Sequence, residues 1–149
     1  MFRKAMLAMA AMAALTAERA GSLADSHGWL LGDWAYQEWL AGGPQHRVLR
    51  WSAPSANRFE GVRGGRRHEL TFGAGGSIIY TSWASGERRR YRAIRSAPGE
   101  LILEERFGAY PQRVTFRREG DRLTYTVSAL DGSRAVVTIL RRVGAHGAD

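Results

Sequence analysis

Residues 112–142 read QRVTFRREGDRLTYTVSALDGSRAVVTILRR. Val114 and Phe116 alternate with Arg113, Thr115 and Arg117. After the turn residues Glu119-Gly120-Asp121, Leu123, Tyr125 and Val127 alternate with Thr124, Thr126 and Ser128. A period of two puts the apolar set on one face of a half-buried strand. Asp131-Gly132 is a hairpin signal, and the run 134–142 follows it. Three strands joined by short turns therefore predict antiparallel pairing of sequence neighbours.

The same pattern extends towards the N-terminus. Runs at 34–40, 46–51, 57–63, 67–72, 77–83, 89–95 and 101–107 are separated by turn residues such as Ala41-Gly42-Gly43-Pro44, Ser52-Ala53-Pro54-Ser55 and Ala97-Pro98-Gly99. About ten strands result. An open sheet of that kind exposes two edges, and closure into a barrel removes them. The expected fold is all-β: one antiparallel up-and-down barrel over residues 25–149. No amphipathic helix of ten residues precedes or interrupts it, although a short helical turn is expected near 26–31.

Residues 1–24 have a different character. Phe2-Arg3-Lys4 is a basic start, an uncharged Ala, Met and Leu run follows, and small residues stand at Ala17 and Ala24. This is the layout of a signal peptide, with a cut after Ala17 or after Ala24. The apolar run is short for a membrane span, and none of that length follows. A periplasmic or secreted protein is expected. There is no Cys, so neither a disulfide nor a lipid-modified Cys is available. The formal charge is +8, and removing residues 1–24 takes Arg3, Lys4 and Arg19 against Glu18, leaving about +6. Every basic residue left is Arg. Export argues against nucleic acid as partner, whereas anionic lipid or envelope polymer suits such a surface.

Gly32-Asp33-Trp34 is similar to the Gly-x-Trp that opens lipocalin-like domains. Trp51-Ser52-Ala53-Pro54 with Gly61, the run Tyr110 to Phe116, and Gly120-Asp121-Arg122-Leu123 resemble motifs of a bacterial lipocalin-like family of unknown function. The resemblance spans residues 29–142. It implies a calycin-type barrel, with the Trp34 side chain plugging one end. Two pairs of positions depart from it: Ala56-Asn57 stand where that family has Gly-Gly, and Gly108 and Ala109 where it usually has a His-Asp pair. Glu104 matches a Glu of the family.

No cofactor signature accompanies these motifs. His27, His46, His68 and His146 lack the close spacing of metal ligands. Some lipocalin-like barrels hold haem through a late His, and 122–142 contains none. No Gly-x-Ser-x-Gly is present. Glu104 and Glu105 are adjacent on a strand and so face opposite ways, which leaves Glu104 with Arg113 as the expected cross-strand pair. Arg88-Arg89-Arg90 reads as a turn and strand start able to meet a carboxylate or phosphate.

Three functions fit these residues. The first is binding of a small apolar or amphipathic ligand inside the barrel. Trp34, Trp51, Tyr80, Trp83 and Tyr110 would supply the wall, and Glu104 and Arg113 the polar end. The second is a filled barrel that interacts with the cell envelope through its surface. The third is an isomerase or hydrolase, which needs converging titratable groups; no catalytic residue is assigned.

Overall fold

The structure is a computed structural model that describes residues 21–72, 76–84, 87–106 and 110–144. Residues 1–20 of the expected leader lie outside them, as do Gly108, Ala109 and His146. Ten strands succeed one another: β1 (Gly32–Leu40), β2 (Gly43–Ser55), β3 (Arg58–Arg63), β4 (Arg66–Phe72), β5 (Ile78–Ala84), β6 (Glu87–Ala97), β7 (Glu100–Glu105), β8 (Gln112–Glu119), β9 (Arg122–Ala129) and β10 (Val136–Arg142). Each pairs antiparallel with its sequence neighbours, and β1 meets β10 to close the barrel. That seam is the shortest ladder, with the pairs Trp34↔Arg142 and Ala35↔Arg141. Above it Trp39 of β1 and Val136, Val137 and Ile139 of β10 are exposed.

Two strands are longer than their sequence runs. β2 begins at Gly43 and continues through Ser52-Ala53-Pro54-Ser55, a stretch expected to be a turn. Its register with β3 shifts between Ser52 and Ser55. A bulge tolerates Pro54 because the missing N–H is not required by a regular ladder there. β6 reaches Ala97, with a second shift between Ala93 and Arg95.

The alternation of 112–129 appears directly in the packing. Val114, Phe116 and Leu123 are almost fully buried, along with Leu101 and Leu103 of β7 and Phe59, Leu70 and Tyr80. Trp51 lies against Gly61, its register partner on β3. A Cβ built on Gly61 would meet the indole at 2.9 Å. The glycine beside the Trp51 motif is thus a close-approach position.

One end is closed by α1 (Leu23–His27) and a 3₁₀ turn (Gly28–Leu30). This helical segment starts earlier than the expected turn near 26–31. Ser22 and Asp25 form a capping box, which satisfies N–H groups that the first turn leaves free. Leu23 and Leu30 are fully buried. The Leu23 N–H donates to Asn57 Oδ1 at 3.1 Å, and the Ala24 N–H to the Ala56 carbonyl at 2.9 Å. Residues 22–24 therefore belong to the folded unit. The Trp34 indole N–H donates to the Leu30 carbonyl at 2.9 Å, and Arg118 lies over its ring. Trp34 occupies the closed end, where the Gly-x-Trp resemblance placed it.

Candidate functional site

The seven residues expected around one ligand fall in different places. Trp34 sits at the closed end. Trp51 and Tyr80 point into the lumen, where they are buried. Trp83 is three residues from Tyr80 on β5 and so takes the opposite face; the Arg67 guanidinium stands 4.3 Å above its ring. Tyr110 lies between β7 and β8 and is 75% exposed. Glu104 and Arg113 are register partners, and Arg113 Nη2 donates to Glu104 Oε1 at 2.9 Å. The pair exists, but outside the lumen. Leu101 and Leu103 hold the inner positions of β7, and Val114 and Phe116 those of β8. The pleat then turns Glu104 and Arg113 outward.

At its waist the lumen is occupied by the protein itself. Trp51 on β2 meets Phe116 on β8 at 5.9 Å between ring centroids. Tyr80 on β5 reaches the same Phe116 at 5.7 Å, and Tyr125 on β9 reaches it at 5.1 Å. β2 and β5 stand well apart from β8 around the barrel, so the Trp51 and Tyr80 rings meet Phe116 across it, whereas Tyr125 is the register partner of Phe116 on the adjacent strand. Towards the other end the interior becomes polar. The Tyr80 hydroxyl and His68 Nδ1 are 2.6 Å apart, and the Tyr91 hydroxyl donates to Gln112 Oε1 at 3.0 Å. Burial, helped by the charges of Arg63 and Arg66, lowers the His68 pKa to about 4. Burial raises Tyr80, Tyr91 and Tyr125. At neutral pH this network carries no charge of its own, as desolvation requires.

A groove of about 750 Å³ lies over β5, β6 and β7. Arg88, Arg90 and Arg92 alternate along β6 and share one face, while Arg89 and Tyr91 between them take the other. Arg106 stands at the end of β7, and Ile79 and Ile94 supply apolar surface. Ile94 is 50% exposed. Glu104 lines the groove but is 5% exposed. Its two oxygens carry Arg113 and Arg106, the latter at 2.7 Å. Among the described residues Arg88, Arg90 and Arg92 form no ion pair. The groove thus gathers outward guanidinium groups beside aliphatic surface, with two carboxylates already engaged, Glu104 by Arg106 and Arg113 and Glu105 by Arg89. Such groups suit a carboxylate or phosphate, which they can hold through paired N–H donors.

The run Arg88-Arg89-Arg90 and Glu104 were visible in the sequence as candidates. Arg92, Arg106, Ile79 and Ile94 were not. The usable signal was the spacing of Arg88, Arg90 and Arg92, which on a strand means one face. Arg106 and Ile79 come from neighbouring strands and needed the register.

Among the described residues, no helix is long and apolar enough to cross a membrane. Compared with known protein families, curated proteins and solved structures, the chain shows no match.

Proposed function

We propose that this barrel is an exported binding protein that holds a small anionic amphiphile on its outer wall. The observation that carries the reading is the groove in which Arg88, Arg90, Arg92 and Arg106 stand beside Ile79 and Ile94. A charge-assisted hydrogen bond contributes about 1.5–3 kcal/mol, and each buried methylene about 0.8 kcal/mol. An anion with a short apolar tail uses both. The Glu104 carboxylate draws Arg106 and Arg113 into place and lowers the cost of ordering the wall.

The filled waist supports a surface site over an interior one. It also favours, as a second reading, contact of this wall with anionic envelope components, since the same guanidinium groups would serve. Export rests on the basic start and apolar run of residues 1–24. The lipocalin-like relationship rests on the Trp34, Trp51 and Tyr110–Phe116 motifs together with the closed barrel. A cut after Ala17 suits the fold, because a cut after Ala24 would remove buried Leu23 and the capping Ser22.

Calorimetric titration with decanoate, decyl phosphate and decanol tests the site. Saturable binding of the two anions, absent for decanol, is expected. Arg90→Ala combined with Arg92→Ala should weaken it about tenfold or more, equivalent to about 1.4 kcal/mol. Salt should weaken it as well, since the groove is open to solvent. Equal binding of decanol, or anion binding unchanged in the double variant, would overturn the proposal.

A further inference from the structure

A second hollow, of about 630 Å³, lies at the closed end between α1 and the end of β6. Asp25, Ser26, His27, Trp29 and Ser96 are among the residues that line it. His27 is 3% exposed, yet both its ring nitrogens have partners. Nδ1 is 2.7 Å from Ser26 Oγ, and Nε2 is 2.6 Å from Ser96 Oγ. When the Ser26 hydroxyl donates its proton to the Ser22 carbonyl at 3.2 Å, it accepts from Nδ1–H. In that tautomer Nε2 is bare and accepts the proton of the Ser96 hydroxyl.

The arrangement is held from both sides. The Ser22–Asp25 capping box and buried Leu23 anchor α1. Ser96 pairs with Leu101 in the β6–β7 ladder, and it is exposed. Trp29 lines the same hollow, and its indole N–H is buried without a hydrogen-bond partner among the described residues. A hydroxyl on a bare imidazole nitrogen, with the other nitrogen oriented by a third group, is the geometry of an activated serine nucleophile. A developing acyl oxyanion requires such a donor, and the Trp29 indole belongs to a residue of the same hollow.

We infer that Ser96 is a nucleophile toward small acyl esters, with His27 as its general base, Ser26 as the residue positioning the imidazole, and the Trp29 indole N–H as donor to the acyl oxygen. The Ser96 oxygen bonds to the ester carbonyl carbon as its proton passes to His27 Nε2. The carbon–alkoxide bond then breaks, and the leaving alcohol takes that proton from His27. Water repeats the sequence on the acyl-Ser96, releasing a carboxylic acid and restoring the hydroxyl. Burial holds the His27 pKa below its ordinary value, so the ring is neutral and able to accept a proton at pH 7. This inference does not depend on the arginine groove.

The test is reaction of the purified protein with an alkyl fluorophosphonate, followed by peptide mass mapping. Attack on phosphorus expels fluoride and leaves a phosphonyl group on the serine. The expected result is one label per chain, on Ser96, and none in Ser96→Ala. His27→Gln should slow labelling about a hundredfold, the scale of general-base assistance. Ser26→Ala should slow it less and serves as the readout if His27→Gln does not fold. No label on Ser96 under conditions that saturate a reference serine esterase would overturn the inference. So would labelling at the wild-type rate in folded His27→Gln, or in Ser26→Ala where that variant is the readout.

Discussion

The Tyr80 hydroxyl lies 2.6 Å from His68 Nδ1, and the two rings stack at 5.8 Å with an interplanar angle of 12°. Both sit inside the barrel, which makes His68 a buried group that must stay neutral. Its pKa falls to about 4 from 6.5. Between those values the unfolded chain binds a proton that the folded chain does not, so stability rises with pH and is lost as pH falls. One unit corresponds to about 1.4 kcal/mol, so His68 alone should cost the fold about 3 kcal/mol between pH 7 and pH 4. Urea unfolding at several pH values, compared with His68→Gln, measures the difference. Parallel pH profiles for the two proteins would refute this assignment.

Gly61 touches the face of Trp51, and the added methyl of Gly61→Ala would meet the rigid, buried indole at 2.9–3.0 Å from three ring atoms. The ring cannot retreat freely, because Phe116 packs edge-on against it. Overpacking of this kind costs about 1–3 kcal/mol. Gly61→Ala should unfold at lower denaturant and show altered Trp fluorescence. A variant as stable as the parent would mean that the indole has another place to go.

Leu23 is fully buried although it lies at the edge of the expected leader. Leu23→Ala should cost about 2–5 kcal/mol, the range for emptying a buried leucine site. A chain beginning at Asp25 should be destabilised further, because it also loses the Ser22 cap and the Ala24–Ala56 hydrogen bond. Thermal unfolding of chains starting at Glu18 and at Asp25 checks this. If the chain is exported as proposed, N-terminal sequencing of the mature protein should then find Glu18. Equal stability of the two chains would remove the structural reason for preferring the earlier cut.

Much of the barrel was legible because strand alternation is local. Leu123, Tyr125 and Val127 specify a face without help from distant residues, and Gly120 and Gly132 mark turns on either side. β9 occupies the run expected from sequence. β2 was harder, because Pro54 signals a turn and only pairing with β3 converts that stretch into a bulged strand. The candidate site was legible in part. Glu104 and Arg113 were recognisable as a cross-strand pair, but the side of the wall they face depends on which alternate residues reach the core. Ser96 and His27 gave no sequence signal: 69 positions separate them, and nothing local links a helix before β1 to the end of β6.

The sequence by itself determined the strand periodicity, the turn positions outside β2, the absence of Lys from residues 25–149 and hence a closed antiparallel barrel. These follow from residue type and spacing along one strand at a time. Tertiary structure decided what the barrel encloses and what it displays. Whether Trp51, Tyr80 and Phe116 leave a cavity or fill it depends on ring contacts across the lumen. The grouping of Arg88, Arg90 and Arg92 with Arg106 depends on the β6–β7 register. The meeting of Ser26, His27 and Ser96 depends on α1 docking over the closed end. Such contacts join residues far apart in the chain, and packing of the whole core fixes them.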